Sequence, residues 1–275
     1  MDQSPRCAAL SVYKERVMGG VTNRVALVTG AGSPNGIGFA TARLLRDAGA
    51  RVAITSTTDR IHERCDELGG TGGGVFASPA DLADADAAAN LHARIEKALG
   101  PIEILVNNAG MVQIGRDEPS APLHEVTDEK WRYGIDISLT SAFLMTRAVL
   151  PSMMQCEYGR IVHISSVTGP VAGIPGSTVY GTAKAGMLGM ARSLAIEVGS
   201  KNVTVNCVGP GWIHTESSGE GEITAGKFTP VGRSGTPEEV GHVAVFLASE
   251  EASYVTGQFI VVDGGNTIQE YKVAL

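Results

Sequence analysis

The strongest constraint in this chain is a short apolar run that feeds a glycine-rich turn and then a helical pattern. Residues 24–30 read RVALVTG, residues 29–38 read TGAGSPNGIG, and residues 36–48 place Ile37, Ala40, Leu44 and Leu45 on one helical face. A brief β-rich run without polar alternation is what a parallel strand covered on both faces requires. A glycine turn between such a strand and a helix N-terminus turns backbone N–H groups and the helix dipole toward a pyrophosphate. Gly30 and Gly36 are read as allowing the turn, and Gly38 as allowing close packing of helix on strand. Ser33, Asn35 and Ile37 complete the candidate phosphate cradle.

The same alternation continues to the end of the chain. Strands are predicted at 51–55, 75–77, 103–106, 160–165, 203–208 and 258–262. Helices are predicted at 60–68, 85–99, 128–154, 179–198 and 237–247. Strands separated by helices of this length form βαβ units with right-handed crossovers. The expected fold is a single α/β domain over residues 21–275, a doubly wound parallel sheet of the Rossmann type. Residues 1–20 read as a flexible N-terminal extension, and residues 216–231 as an irregular lid.

Composition narrows the function classes. The net charge is −7 and the pI about 5.4, which argues against nucleic acid or an anionic membrane as partner. No window is read as a membrane span of about 18 apolar residues, and the N-terminus lacks the apolar core of a signal peptide. Cys7, Cys65, Cys156 and Cys207 show no paired spacing and read as free, buried thiols of a reducing, cytoplasmic protein. The six histidines show no paired ligand spacing, so no metal site is expected. His163 reads as structural. His214 is a candidate substrate contact.

Two further sites carry chemistry. Tyr180 and Lys184 stand four apart, on one face of the helix predicted there. A nearby cation favours the phenolate, so this tyrosine is expected to exchange protons with a carbonyl or alcohol oxygen. The second strand ends at Thr55-Ser56-Thr57, where an NAD-binding chain usually carries an acid for the ribose 2′-OH. With Ser56 there, a 2′-phosphate is not repelled, and Ser56, Thr57 and Arg60 are candidate donors to it. NADP is therefore the expected cofactor, with NAD the lesser alternative.

These motifs together resemble the short-chain dehydrogenase/reductase family over about residues 20–268, and within it the 3-oxoacyl-carrier-protein reductase-like branch. The matching segments are TGAGSPNGIG, Asp81-Leu82, Asn107-Asn108-Ala109-Gly110, IVHISS at 161–166, Tyr180-x-x-x-Lys184, Pro210-Gly211-Trp212-Ile213-His214-Thr215, and VDGG at 262–265. The resemblance implies that Ser166 holds the substrate oxygen, Tyr180 acts as general acid or base, and Lys184 supports Tyr180 and holds the nicotinamide ribose. It implies that Asp81 and Leu82 flank the adenine. Asn108, Ala109 and Gly110, with Asn107, would line the ribose channel. Pro210 and Gly211 would lead Ile213 and Thr215 to the carboxamide. The implied activity is hydride transfer between NAD(P) and a small carbonyl or secondary-alcohol substrate. The implied assembly is a homotetramer or homodimer, joined through 128–154 and 179–198.

Three departures stand out. Where relatives carry an asparagine that seats a relay water, this chain has Ser138, a candidate catalytic residue that still donates and accepts. The glycine loop is two residues longer than usual. Ser166 and Tyr180 are 14 apart, one more than in close relatives, so Ser165 stands as the fallback serine. Two other classes remain open: lyase or dehydratase chemistry on the same scaffold, and a non-catalytic dinucleotide sensor. Lys184 and the 210–215 turn favour hydride transfer. Glu216, Glu220 and Glu222 read as solvated lid charge.

Overall fold

The computed structural model describes residues 20–270, apart from 112, 114 and 117–119. The expected extension therefore lies, but for residue 20, outside the described residues. Seven strands form one sheet: β1 (Val25–Thr29), β2 (Arg51–Ser56), β3 (Val75–Pro79), β4 (Ile104–Asn107), β5 (Gly159–Ile164), β6 (Val203–Pro210) and β7 (Phe259–Val262). Their order is β3-β2-β1-β4-β5-β6-β7, and every neighbouring pair is parallel. The order reverses direction between β1 and β4. That switch point is where open α/β sheets leave a crevice at the strand C-termini.

The helices are α1 (Ile37–Asp47), α2 (Ile61–Glu67), α3 (Ala85–Leu99), α4 (Asp128–Ile135), α5 (Ser141–Gln155), α6 (Thr178–Val198), α7 (Glu220–Gly226) and α8 (Pro237–Ala248). Local signals set several starts. Asp84 accepts from the Ala87 N–H, and Thr127 accepts from the Lys130 N–H. Thr236 and Glu239 form a reciprocal capping box with Pro237 in the first turn, satisfying donors that a helix start leaves open. The sheet divides the core in two. Val28, Ile54, Val106 and Val162 pack with Leu45 and Val240 on one face. Leu27, Leu105, Ile161 and Val205 pack with Leu91, Met145 and Leu188 on the other.

Four expectations need correction. The helix expected over 128–154 is three pieces: α4, a π-helical turn over Asp136–Thr140, and α5. A π turn inserts an extra residue and rotates the helix beyond it, and it carries Ser138 inward, 1% exposed. This segment, Asp128–Gln155, is also long and apolar enough by composition to cross a membrane; it is packed here against α3 and α6, and its apolarity serves the core. The lid is not irregular throughout, because α7 forms within it, its N-terminal Gly219 N–H donating to Glu222 at 2.9 Å. Cys65 and Cys207 are buried as expected, but Cys156 is exposed, since it falls at the C-cap of α5.

Candidate active site

The crevice begins where two loops are stapled together. The Thr29 hydroxyl accepts from the Asn108 N–H at 3.0 Å and the Ala109 N–H at 2.9 Å. The Asn108 carboxamide donates to the carbonyls of Thr29 and Gly30 at 3.1 and 3.0 Å. Gly30 has φ +67 and lies so near Ala109 that a Cβ would sit 2.8 Å from its Cα; a Cβ on Gly38 would sit 2.6 Å from the Gly30 carbonyl oxygen. Both roles match the sequence reading. Gly36 differs: its φ is −98, an ordinary conformation, so it does not supply the turn. Asn108 lines the cleft while its side chain holds the loop to protein carbonyls. Thr29 was missed as a functional residue; its signal was its place directly before the first glycine.

The first half is a cleft of about 140 Å³ lined by Gly32, Ser56, Thr57, Arg60, Asp81 and Leu82, with Asn108, Ala109 and Gly110. A Cβ on Gly32 would lie 2.7 Å from Arg60 Nε and 2.8 Å from Ser56 Cβ, so this glycine lets the guanidinium settle beside the loop. Arg60 Nε is buried and has no hydrogen-bond partner. Ser56, Thr57 and Arg60 all line the cleft, and the Ser56 hydroxyl donates to the Thr58 carbonyl at 2.9 Å. Gln113 lies after β4 and reaches across to Asp81 Oδ1 at 3.2 Å. The sequence offered no signal for it. Gly32 also went unread, although it lies inside the glycine motif. The donor set fits a dinucleotide: an orphaned guanidinium N–H, a glycine-lined floor and a helix start without a side-chain cap.

The reaction half lies beyond Gly110. Ser166, at the end of β5, is buried and its hydroxyl accepts from the Thr168 N–H at 3.0 Å. The Ser165 hydroxyl instead donates to the Lys184 carbonyl at 2.8 Å, a structural bond that pins α6 to β5. Tyr180 is half-buried, and the Lys184 ammonium lies 5.6 Å from its ring centroid. Lys184 is buried and its Nζ donates to the Ile164 carbonyl at 2.8 Å. Burial pushes that ammonium down to about 8, with the Cys207 thiol pulling weakly the other way. A Cβ on Gly110 would sit 3.1 Å from Ser138 Oγ and 3.5 Å from Lys184 Nζ, so hydroxyl, ammonium and the β4 loop converge on one point. His163 is fully buried beside Asn107, Nδ1 to Nδ2 3.2 Å. Burial, then the Lys184 charge, pushes it down to about 4, so it is neutral near pH 7.

The third wall is built after β6. The Gly211 N–H donates to the Val262 carbonyl at 3.0 Å, Ile213 bridges to Gly235, and the Thr215 N–H donates to Ser218 Oγ at 2.9 Å. From there the lid turns back to the glycine loop, where Ser33 Oγ donates to Glu216 Oε2 at 2.7 Å. Glu216 is exposed, as its reading as solvated lid charge has it, and this bond also holds it to the glycine turn. His214 is exposed, as are Asn35 and Thr57.

An α/β sheet with a glycine-lined crevice at its switch point and a Tyr/Lys pair beside the β4 loop defines a class, and comparison with known proteins gives the family. The enoyl-(acyl carrier protein) reductase family model matches residues 30–267. The chain is 37% identical over 265 residues to the oxidoreductase UcpA of Salmonella typhimurium, covering 92% of this chain and 98% of that one. It is 39% identical over 254 residues to the 3-oxoacyl-acyl-carrier-protein reductase FabG of Chlamydia muridarum, covering 89% and 98%. A doubly substituted short-chain dehydrogenase/reductase from Serratia marcescens superposes with TM-score 0.81 at 30% identity, covering 90% and 99%. The chain belongs to the short-chain dehydrogenase/reductase family, and membership implies a nicotinamide cofactor.

Proposed function

We propose that this protein is an NADP-preferring oxidoreductase acting on a carbonyl or secondary alcohol, with Tyr180 as general acid/base. The observation that carries the reading is the buried Lys184 ammonium beneath the Tyr180 ring, at the point where Gly110 lets the β4 loop approach closely. The nicotinamide, when bound, supplies or accepts the hydride. Tyr180 donates its proton to the carbonyl oxygen in reduction and takes it from the alcohol in oxidation. The Lys184 charge favours the phenolate that remains. Ser166 holds the substrate oxygen by hydrogen bond, and Ser138 accepts or donates at the inner end of the same proton route. Asn108, Ala109 and Gly110 form the ribose wall, while Asn107, named with them by the resemblance, is buried behind it on Thr146 and His163; Asp81 and Leu82 form the adenine wall, and Pro210, Gly211, Ile213 and Thr215 the carboxamide wall.

The NADP preference rests on two features at the β2 end. No carboxylate stands at position 56, and the buried Arg60 Nε lacks a partner, as a 2′-phosphate ligand would. The protein acts in the cytoplasm as a homotetramer or homodimer through α4, α5 and α6, on whose surfaces Trp131 and Phe143 stand exposed. The test is the near-ultraviolet absorbance of reduced nicotinamide over a carbonyl panel, first with NADPH and then NADH. A 3-oxoacyl thioester heads that panel, because the Chlamydia relative carries that name. Loss of absorbance with NADPH supports the reading. Turnover without an absorbance change indicates a lyase, and binding without turnover a sensor.

A further inference from the structure

We propose that Glu216 is an internal competitor for the dinucleotide diphosphate, and that the cofactor must displace it from the glycine turn to bind. The inference rests on the dinucleotide reading above and adds an affinity-determining residue to it. Three observations converge. Glu216 Oε2 accepts from Ser33 Oγ at 2.7 Å across 183 residues of sequence, which ties the lid to the phosphate-binding turn. Ser33 lies against the start of α1: a Cβ on Gly36, its N-cap, would sit 3.6 Å from Ser33 Oγ. The start of α1 has no side-chain cap and no acidic residue in its first turn, although a helix start carries partial positive charge.

The Glu216 carboxylate is therefore an anion held at that turn, and it engages a hydroxyl which the expected diphosphate would also use. Two like charges cannot share the spot without cost. Bound cofactor and the Ser33–Glu216 bond then exclude one another. Displacing Glu216 frees the segment that runs from Thr215, at the carboxamide wall, into α7. Cofactor arrival at one end of the cleft is thus coupled to release of the lid at the other. The remaining lid acids are placed differently: Glu222 is held by the Gly219 N–H, and Glu220 begins α7.

The test is calorimetric titration of NADPH and NADH into the full-length wild type, Glu216→Gln and Glu216→Ala. Glu216→Gln removes the charge while keeping an acceptor for Ser33. Glu216→Ala removes both. We expect Glu216→Gln to lower the Kd for both dinucleotides by roughly threefold to tenfold at low salt, an advantage that shrinks toward onefold at about 1 M salt as screening grows. We expect Glu216→Ala to gain at least as much. Wild-type binding with unchanged or weaker binding in both variants overturns the inference and leaves the proposed function standing. A wild type that binds neither NADPH nor NADH overturns both. Should one variant fail to fold, as judged by its melting transition, the other decides alone.

Discussion

Lys184 and His163 make the reaction end a place where burial sets protonation. His163 is depressed to about 4 from 6.5, so between those values the unfolded chain binds more protons than the folded one. Its contribution to stability is complete above about pH 6.5 and is lost as pH falls toward 4, on the order of 3 kcal/mol in all. Denaturant melts of wild type and His163→Gln across pH 7 to 4 check this; the variant is expected to show a flatter dependence in that window. At the other end of the cleft, Arg60→Ala is expected to weaken NADPH binding roughly tenfold or more and NADH by less, because only the former offers a 2′-phosphate to the unpartnered Arg60 Nε. Equal losses for both cofactors would remove Arg60 from phosphate recognition. Tyr180, Lys184 and Arg60 were legible as candidates from residue type and spacing, and Ser166 only through the family resemblance. Thr29 and Gln113 were not, because their roles exist only once β1 and β4 lie side by side and a loop crosses the cleft.

At the scale of elements, the β1 turn and the start of α1 act as one packed unit. A methyl at Gly38 would sit 2.5 Å from Asn108 Nδ2 and 2.6 Å from the Gly30 carbonyl oxygen, and the carbonyl belongs to the backbone and cannot swing away. Gly38→Ala is expected to cost about 1–3 kcal/mol of stability through overpacking and to weaken dinucleotide binding more than tenfold. Thermal melting and cofactor titration on the same sample would measure both. Most elements were legible from the alternation of apolar runs and helical faces, with ends displaced by a residue or two. The π turn at Asp136–Thr140 was not, because apolar periodicity over 128–154 looks the same whether the helix is continuous or slips by one residue. The sequence still marked the spot, at Ser138, where the chain departs from the pattern that the resemblance implies. α7 was hidden by a short, glycine-containing stretch whose helix start depends on the Gly219–Glu222 contact.

On the scale of the whole molecule, the sheet separates a functional rim from a stabilising one. At the N-terminal ends of the strands, Tyr158 lies between two guanidiniums, 3.6 Å from Arg24 and 4.4 Å from Arg160, and Arg24 also pairs with Glu103 and Glu250. Tyr158→Leu is expected to cost about 1–4 kcal/mol from two lost cation–π contacts, while the Kd for NADPH stays within about twofold. A comparable loss of cofactor affinity would mean that the two rims are coupled. The doubly wound topology was legible before the structure, because helix-connected parallel strands leave few arrangements. The exposure of Phe143 on α5 was not legible, because the alternation pattern does not read the outer face of a helix.

The account centres on proton transfer by Tyr180, and one comparison tests it most directly. NADPH oxidation by wild type and Tyr180→Phe is monitored on the best carbonyl substrate, alongside NADPH titration of both proteins. The expected result is a turnover loss on the order of 10²–10⁴ with cofactor affinity nearly unchanged. Wild-type turnover in Tyr180→Phe would contradict the account.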